Sequence, residues 1–454
     1  MQIYNFPLLD GYLPVAFPAS GCEVVVTAVP ADQEYYVDYY NGNDTANDGS
    51  SPVKAFKTIQ KAVDAAPVSY AKHTLVHVAP GWYDEGGSSV GGNSYRVVTT
   101  KTTSIVATEG PDSTFIVGAS DPAGKNGYGP HAVRCLYQGS SSRGASVRGF
   151  TLTGGYTDYN DTESDTATDE DEQCAAVRIS GWDAVVDCVI SNNFAKNLIV
   201  KNGFFHRCKF VRNTLLDKNV IETSKIYSSI VANNTSSGSV ANDADFVGST
   251  VEGDLSYNCS AVGSILFNGQ GAFSDSNASV SYGNVTWKFS LSGSRVDADT
   301  TLQADPCFAA ADKGDFRLRS DSPAIGGAMI ADVVAHSKAV PSDFLGNAPF
   351  VVDGKPTAGA MQSLLQVVVI SGDTGSLTIA GGLVGTNLVE DTIIVTAANP
   401  GIGGRPFEGF TVNGADLPAS VTTWTFNKPA VWDGTEIYEL HARYGTLGMR
   451  VIIK

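Results

Sequence analysis

The chain contains, between residues 186 and 269, the five octapeptides VDCVISNN (186–193), HRCKFVRN (206–213), YSSIVANN (227–234), VGSTVEGD (247–254) and VGSILFNG (262–269). Each has a small residue in third place, then a short β-prone run, and ends on Asn, Asp or Gly. The third residues, Cys188, Cys208, Ser229, Ser249 and Ser264, are 20, 21, 20 and 15 positions apart. This near-constant spacing indicates an internal structural repeat.

A repeat of this length predicts a parallel β-helix. One coil is too thin to bury its own apolar face, so it must stack on its neighbours. Small inward residues suit coils that lie about 4.8 Å apart. Asn at a corner tolerates left-handed backbone, and its amide can bond to the copies above and below.

The pattern continues upstream of the five octapeptides. Residues 147–155 form a similar unit, 38 residues before the one at Cys188, which implies an inserted surplus of roughly 18 residues. Short β-prone segments bounded by Gly and Pro lie at 74–78, 103–107 and 113–117. The repeat spacing therefore predicts about ten coils over residues 74–310.

The segment before the coils resembles a known protein family. YVDYYNGND (36–44) leads through Asp48-Gly49 to AFKTIQKA (55–62) and HVAPGWY (77–83). This is similar to the opening of bacterial secreted right-handed β-helix proteins of the pectin-lyase-like superfamily. In that pattern, a Gly-Asn-Asp loop precedes a short helix that covers the end of the coil.

The residues themselves also support a capping helix. Thr58 can cap its N-terminus, and Pro67 ends it. One face is apolar, as expected for a helix lying on a coil: Ile59, Ala62, Val63 and Ala66.

The far end resembles the closing segment of β-helix proteins with a choice-of-anchor tail. The matching residues are DPCF (305–308), GDFRL (314–318) and DSPAI (321–325). The family ends on a Gly-x-Asp-Ile-Gly-Ala-Tyr-Glu type motif, of which only Gly359 and Ala360 remain here. Its acidic residues are absent from this chain.

The last 90 residues change character. Short β segments alternate with Gly-rich turns, which predicts a small all-β module. It resembles the Ig-like β repeats of bacterial surface proteins, which space or attach a larger domain. Trp424 and Trp432 could stack on sugars there, and packing in the module's core is the competing interpretation.

The expected organisation is an all-β protein in three parts. Residues 1–34 form a strand segment that docks on another domain. Residues 35–362 form a right-handed parallel β-helix of about ten coils with an N-terminal capping helix. Residues 363–454 form a small antiparallel β domain, a sandwich or surface-repeat module.

Composition excludes several classes of function. The net charge of −17 argues against a nucleic-acid partner, because phosphate binding requires Lys and Arg. No run of 18 apolar residues occurs, so no membrane span is expected. The seven cysteines form no CxxC motif or Cys/His cluster, which disfavours zinc; buried thiols are preferred over a disulfide framework.

The start of the chain lacks the basic and apolar regions of a signal peptide. The resemblance nevertheless implies an extracellular or cell-surface protein of bacterial type. The missing signal peptide and the implied extracellular location agree if the chain is processed or trimmed. The alternative is a cytoplasmic protein.

An acidic insertion precedes the regular coils. Residues 158–172 hold eight carboxylates and no Lys or Arg. Such a loop is either solvated or closed on a cation, and Ca²⁺ is the natural ion because it takes six to eight oxygen ligands. The candidate ligands are Asp158, Asp161, Glu163, Asp165, Asp169 and Asp171. The Asx-rich stretch 42–49 could also hold calcium, or simply form turns.

Cations follow the insertion on the next coils. The resemblance implies a polysaccharide lyase in which Ca²⁺ binds a uronate carboxylate and a Lys or Arg removes the neighbouring proton by β-elimination. The candidate catalytic residues are Arg178, Lys201 and Lys209, and the candidate substrate-binding residues are Arg207 and Arg212. Strand alternation predicts that Arg178, Arg207 and Lys209 point outward. Alternatively, these cations only solvate the coil surface or pair with the acidic loop.

Two function classes stay open from sequence. The first is a secreted β-helix protein that acts on or binds polysaccharide, such as a calcium-assisted lyase on a uronate-containing glycan. The second is a non-catalytic surface adhesin, a structural or assembly subunit, or a phage-appendage-like protein. A glycoside hydrolase is disfavoured because no Asp-Asp pair occurs in the coils and no His lies between glycines.

Overall fold

The protein was analysed as a computed structural model. The residues that it describes are 31–68, 72–139, 145–158, 173–179, 183–217, 219–255, 259–267, 286–289, 301–302, 306–319, 322–326, 343–344, 351–352, 355–361, 368–372, 374–384, 387–427 and 438–445. The chain divides into two compact units, residues 1–305 with 326–361 and residues 306–325 with 362–454. The boundaries expected from sequence, 1–34, 35–362 and 363–454, stay a prediction.

The first unit is built from short strands, one helix and single 3₁₀ turns. The helix α1 is Ile59–Ala65, and the 3₁₀ turns are Pro52–Lys54 and Lys125–Gly127. The strands that form the coils are, in chain order, β1 (Gln33–Val37), β2 (Thr74–Val78), β3 (Gly81–Tyr83), β4 (Ser88–Val90), β5 (Asn93–Thr99), β6 (Thr103–Ala107), β7 (Thr114–Val117), β8 (Val133–Gln138), β9 (Ser146–Arg148), β10 (Thr151–Thr153), β11 (Val177–Ile179), β12 (Ala184–Val186), β13 (Val189–Ser191), β14 (Phe194–Ala195), β15 (Val200–Lys201), β16 (Phe204–His206), β17 (Lys209–Val211), β18 (Thr214–Leu215), β19 (Ile221–Glu222), β20 (Lys225–Tyr227), β21 (Ile230–Ala232), β22 (Ala241–Asn242), β23 (Asp245–Val247), β24 (Thr250–Glu252), β25 (Ser260–Val262), β26 (Ser264–Phe267), β27 (Thr286–Phe289) and β28 (Thr301–Leu302).

These strands form three long sheets. Sheet A has the order β1-β2-β6-β9-β12-β16-β20-β23-β25, sheet B the order β3-β7-β10-β13-β17-β21-β24-β26-β27-β28, and sheet C the order β4-β5-β8-β11-β15-β19-β22. Pairing within them is parallel, except between β4 and β5. Each coil adds one strand to each sheet in turn. The chain therefore forms the right-handed parallel β-helix expected from the repeat, with nine strands in sheet A and ten in sheet B.

The core of the β-helix is a set of stacked apolar columns. Because successive side chains alternate across a strand, every second residue points inward and meets its counterpart on the next coil. In sheet A, one such fully buried column is Val76, Ile105, Val147, Val185, Phe205, Ile226 and Phe246. In sheet C, another is Val97, Leu136, Val177, Val200, Ile221 and Ala241.

Left-handed residues turn the chain at the corners. Between sheets A and B these residues are Asp187, Arg207, Ser228, Gly248 and Gly263, and after sheet B they are Asn192, Arg212, Asn233 and Gly253. A non-glycine residue in this region costs roughly 1 kcal/mol, which the stacking of coils must offset. In the octapeptides that end on Asn-Asn, the left-handed residue is the seventh one, Asn192 or Asn233, and not the eighth. The eighth residue has a different role.

That last residue forms an asparagine ladder inside the coils, as the repeat predicted. The Oδ1 of Asn213 accepts from the backbone N–H of Asn193 at 3.1 Å and from its Nδ2 at 3.0 Å. Asn213 in turn donates from its Nδ2 to the Oδ1 of Asn234 at 2.9 Å. A parallel serine ladder joins the third residues, because Ser229 Oγ accepts from Cys208 N at 3.0 Å and Ser249 Oγ from Ser229 N at 3.2 Å.

The N-terminal end of the coil is covered as expected. The Thr58 side chain accepts from Lys61 N, and the four residues of the apolar helix face are buried. The Nζ of Lys101 closes the other end of α1 by donating to the carbonyls of Val63, Asp64 and Ala66 at 2.7–3.0 Å. These contacts hold the helix against the open end of the core.

The edge strand β1 is also covered. The Tyr36 N–H donates to Gly49 O, and Phe56 N–H donates back to Tyr36 O, both at 2.9 Å. A Cβ on Gly42 would lie 2.1 Å from Phe56 O, so glycine is required where the loop crosses the strand. An edge that is paired in this way cannot recruit another strand.

Two residues near the end of the closing segment, Gly359 and Ala360, contact the coils of strands β24 to β26. Gly359 N–H donates to Gly263 O at 2.9 Å, and Ala360 N–H donates to Thr250 Oγ1 at 3.0 Å. Gly359 is left-handed, with φ +96°, and a Cβ there would strike Ile265. A short hairpin of β31 (Val351–Val352) and β32 (Lys355–Pro356) precedes it. The two motif residues that this chain keeps are therefore those in direct contact with the coils.

The second unit contains β29 (Phe308–Ala310), β30 (Asp315–Leu318), β33 (Val368–Gly372), β34 (Leu377–Val384), β35 (Asn387–Ala397), β36 (Phe407–Val412), β37 (Ala415–Asp416), β38 (Thr423–Asn427) and β39 (Tyr438–Tyr444). Its 3₁₀ turns are Ala311–Lys313, Thr374–Ser376 and Ile402–Gly404. The sheets β34-β35-β38 and β33-β39-β36-β37 are antiparallel, except for the pair β33 and β39. Trp424 packs against their small core, and Trp432 lies outside the described residues.

The six described cysteines are free thiols, and all but Cys307 are buried. Cys188 and Cys208 therefore stack as small side chains on neighbouring coils. Each donates its thiol hydrogen to backbone carbonyls, for example Cys208 Sγ to Val185 O at 3.3 Å. The expectation of buried thiols is met for these six residues.

Candidate functional site

The outward face of sheet C carries a row of polar side chains on successive coils. Strand pairing places Arg178 between Tyr137 and Lys201, and Lys201 beside Glu222. The inward neighbours of these residues are fully buried apolar side chains, which fixes the outward direction. Two of the three predicted catalytic residues, Arg178 and Lys201, are thus brought together one coil apart.

Each of these cations is held by hydrogen bonds. The Nζ of Lys201 lies 3.0 Å from Glu222 Oε1 and donates to Gln173 Oε1 at 3.2 Å. The Arg178 side chain hydrogen-bonds to Tyr95. Fixed partners reduce the side-chain entropy that a cation loses when it binds an anion. The face is therefore preorganised.

A third cation completes the group. Arg134 is fully buried, lies over the Tyr95 ring at 5.6 Å, and donates from its Nε to Gln173 O at 3.2 Å. The Tyr95 and Tyr137 rings lie 5.4 Å apart. We call this set the sheet C cluster: Tyr95, Arg134, Tyr137, Gln173, Arg178, Lys201 and Glu222.

The electrostatics of the sheet C cluster favour an anion. It holds three cations and one carboxylate, and all four charges act on the buried thiol of Cys174. Burial raises the pKa of Cys174 to about 12, so the thiol stays neutral. Burial likewise raises the pKa of Tyr95 to about 12, so its phenol stays protonated. The described charges of the cluster therefore sum to +2, from three cations and one carboxylate.

Lys209, the third predicted catalytic residue, lies on another sheet. It pairs with Val189 and Ile230 in sheet B, whereas Arg178 and Lys201 belong to sheet C. It is half-buried, and its strand alternation places it outward as expected, because Phe210 beside it is fully buried. Lys209 is close to Lys201 in sequence, but it lies outside the cluster because a corner of the coil separates their two strands.

Arg207, a predicted substrate-binding residue, is committed to an internal ion pair. It is a left-handed corner residue and only 7% exposed. Its Nε and Nη2 lie 2.5 and 2.8 Å from the two carboxylate oxygens of Asp187, and Arg148 Nε lies 2.8 Å from one of them. Arg212, the other predicted substrate-binding residue, is an exposed corner residue after sheet B.

The Asp187 corner is expected to lose stability in acid. Burial raises the pKa of the Asp187 carboxyl, but its hydrogen bonds and the charges of Arg207 and Arg148 outweigh this, and the net pKa is lowered. Burial, followed by the charge of Arg207, lowers the pKa of neighbouring His206 to about 4. Between its unfolded value near 6.5 and 4, His206 binds more protons unfolded than folded, so stability falls as pH falls. The Asp187 contribution is lost at still lower pH.

We expect the free energy of unfolding to fall by on the order of 2 kcal/mol between pH 7 and pH 4.5 because of proton binding to His206 alone. Thermal unfolding measured across that range tests this, and His206→Phe should flatten the curve. The matched control is His131→Gln, because His131 is exposed. An unchanged pH profile in His206→Phe contradicts the assignment.

The predicted calcium ligands fall mostly outside the described residues. Asp158 is described and half-buried, whereas Asp161, Glu163, Asp165, Asp169 and Asp171 are not described. Within the described ranges, no group of three or more His, Cys, Asp or Glu residues could hold a metal ion. The acidic stretch still matches Ca²⁺ in donor type, since its eight Asp and Glu residues offer carboxylate oxygens.

The alternative calcium stretch, 42–49, is explained by turns. Asp44 Oδ1 accepts from Lys57 N at 2.7 Å, and its Oδ2 accepts from Thr58 Oγ1 at 2.7 Å. Asn43 Oδ1 accepts from the backbone of Thr45 and Ala46, each at 2.9 Å. These side-chain oxygens satisfy backbone donors at the start of the capping helix.

Sequence reasoning missed five members of the sheet C cluster: Tyr95, Arg134, Tyr137, Gln173 and Glu222. Strand alternation does place Tyr137 outward, but only if the insertion is known to be looped out between β10 and β11. The register across this insertion is a structural fact that the repeat spacing does not contain. The remaining members contact the outward row from the same region of sheet C.

The comparisons with known proteins concern fold. No family model matches the chain, and no curated protein matches it. A pectate lyase Pel9A structure is similar, with 14% identity and a TM-score of 0.40 over 74% of this chain and 97% of that one. The pectin methylesterase PemA from Erwinia chrysanthemi has 11% identity and a TM-score of 0.30 over 61% and 94%.

A carrot pectin methylesterase gives 12% identity and a TM-score of 0.25 over 62% of this chain and 91% of that one. The class of protein is defined by its own architecture as a parallel β-helix, which rests on the three parallel sheets and their register. In the described part of the chain, no helix is both long and apolar enough to cross a membrane.

Proposed function

We propose that this protein binds an acidic polysaccharide along the outward face of sheet C. The observation that carries the proposal is the adjacency of Arg178 and Lys201, with Arg134 behind them and Glu222 as the one carboxylate of the cluster. Coils repeat at about 4.8 Å, which is close to the length of one sugar residue. A chain lying along the coil axis therefore presents successive carboxylates to successive coils.

The side chains suit uronate recognition. A guanidinium such as that of Arg178 can hold a carboxylate through two parallel hydrogen bonds, while the Lys201 ammonium acts as a point charge. The half-buried Tyr137 ring offers an apolar face and a hydroxyl beside them. The overall charge of −17 repels anions at a distance, so the local cluster must supply the attraction.

Affinity electrophoresis in gels containing polygalacturonate or alginate tests this proposal. Retardation that weakens as salt is added is expected, because added ions screen the attraction between the cluster and the uronates. A gel containing a neutral polymer controls for sieving. Equal mobility in all gels would contradict acidic-polysaccharide binding at this face.

A second candidate, β-elimination, is favoured by one further feature of the cluster. An amine, Lys201, lies one coil from a guanidinium that can neutralise a uronate carboxylate. In this reaction, the base takes the proton beside the carboxylate, a carbon–carbon double bond forms, and the glycosidic C–O bond breaks. The departing oxygen takes a proton from water. To act as the base, Lys201 must first leave Glu222 and release its own proton to water, so that it enters the step as the neutral amine.

An ultraviolet assay of the unsaturated product decides between binding alone and elimination. Uronate polymers are incubated with the protein in calcium and in a chelator. Rising absorbance that Lys201→Gln abolishes supports a lyase. Retardation in the gels with no absorbance change assigns the protein to glycan binding, as an adhesin or assembly component at the cell surface.

Calcium is proposed to bind the acidic segment 158–172. Extracellular calcium sites commonly bind with dissociation constants of about 0.1–1 mM, and a bound ion raises the unfolding temperature by mass action. Thermal unfolding in calcium, magnesium and chelator measures this. Asp158→Asn with Asp161→Asn should reduce the calcium shift, whereas Asp112→Asn, in an exposed turn, should not. An unfolding temperature that does not change with calcium would contradict a calcium site in this segment.

A further inference from the structure

One aromatic pair stands apart from the sheet C cluster. Trp82 lies in strand β3, between the buried residues Gly81 and Tyr83, and its side chain points outward with 45% exposure. The next coil places Phe115 beside it, with ring centroids 4.8 Å apart and planes tilted by 40°. Burial of the indole would be favourable, yet the chain leaves it open to solvent.

The indole also keeps a hydrogen-bond donor available. Within the described ranges, no group accepts from the Trp82 N–H. A buried Trp normally finds such a partner. Trp82 therefore offers an apolar ring face, supported from the side by Phe115, together with an unused N–H at its edge.

The platform is small. Strand β3 is the edge of sheet B, so it ends the platform on one side. On the other side Thr151 is only 8% exposed, and its hydroxyl donates to Pro111 O at 2.7 Å. One exposed indole and one half-buried phenyl ring fall far short of the roughly 800 Å² per partner of a stable protein interface.

We propose that Trp82 and Phe115 form a stacking platform for one or two uncharged sugar rings. A pyranose has an apolar C–H face that matches the indole ring, and hydroxyls that can accept from the indole N–H. Lys209 is the nearest cation in the described part of this row, three coils beyond Phe115. Binding here is therefore independent of charge, in contrast to the sheet C cluster.

Titration calorimetry at high salt, where charge attraction is screened, tests the platform with neutral polymers: galactan, arabinan, xylan and cello-oligosaccharides. At least one should bind, with an affinity that changes little with salt. Trp82→Ala should weaken it tenfold or more, and Trp82→Phe should keep most of it. Tyr40→Ala is the matched control, because Tyr40 is 74% exposed and lies outside the platform.

The result is separable from binding at sheet C. Arg178→Gln and Lys201→Gln should leave neutral-polymer binding unchanged. Trp82→Ala should stay folded and lose only the packing of the indole on Phe115, because nearly half of the Trp82 surface is exposed. The proposal is overturned if none of the four polymers binds, or if Trp82→Ala binds as tightly as the wild type.

Discussion

Replacing Arg178 with Gln should weaken binding to polygalacturonate by about tenfold to a hundredfold, because a hydrogen bond to a charged group contributes roughly 1.5–3 kcal/mol. Lys201→Gln should have a similar effect through loss of a point charge. The double variant should lose about a hundredfold or more, with less than additive effects since the two residues are adjacent. Calorimetric titration at low salt measures each affinity.

The control variants remove the same charge elsewhere. Arg212→Gln lies at an exposed corner after sheet B, and Lys209→Gln lies in sheet B. Both should bind within about twofold of the wild type, because charges farther apart than about 8 Å are largely screened at physiological salt. If Arg212→Gln weakened binding as much as Arg178→Gln, attraction would depend on net charge and the sheet C cluster would not be the site.

Replacing Asn213 with Leu should destabilise the β-helix by about 4 kcal/mol. The Asn213 side chain is fully buried and makes four hydrogen bonds, two accepted from Asn193 and one donated to each of Ile190 O and Asn234 Oδ1. Leucine leaves these partners buried and unpaired, and each such group costs about 1–3 kcal/mol. Chemical denaturation followed by circular dichroism measures the loss.

Asn192 supplies the control for this prediction. It is the preceding corner asparagine of the neighbouring coil, exposed and left-handed with φ +53°. Asn192→Ala should cost only about 1 kcal/mol, because it changes the backbone preference and removes one long hydrogen bond, from Asn192 Nδ2 to Ser191 Oγ at 3.4 Å. Equal stability of Asn213→Leu and the wild type would show that the ladder does not contribute to cohesion between coils.

Much of the fold follows from the octapeptide repeat. Its third and last residues become the serine and asparagine ladders, and the run between them becomes the strands of sheet B. This succeeds because stacked coils force the same residue type into the same environment on each turn. The capping helix was predicted equally well, since Thr58 and the apolar face are local signals.

The candidate site was less accessible from sequence. Arg178 and Lys201 could be chosen by type and by their position after the insertion, but their pairing depends on a register that the insertion interrupts. Arg207 has the same residue type and strand neighbourhood, yet it is bound to Asp187 of the preceding coil. Contacts between coils join residues about 20 positions apart, and their side-chain geometry is decided by corner conformations that residue spacing does not reveal.

Arg134 and Tyr95 show the same limit. Both lie in coils before the insertion, where no octapeptide repeat marks the register, and they meet only through the pairing of β5 with β8. The exposure of Trp82 was equally hard to predict from sequence, because it depends on which side chains border Trp82 in the outward row of sheet B. Residue type alone does not distinguish it from a core tryptophan.

The most direct test of the account compares polygalacturonate with its fully methyl-esterified form by calorimetric titration into the wild-type protein. In the second polymer, each carboxylate of the first is replaced by a neutral methyl ester, and the sugar backbone is the same. We expect the acidic form to bind, with an affinity that weakens as salt is added, and the ester to bind at least tenfold more weakly. Equal affinity for both forms, or binding of neither, would contradict recognition of uronate carboxylates by Arg178 and Lys201.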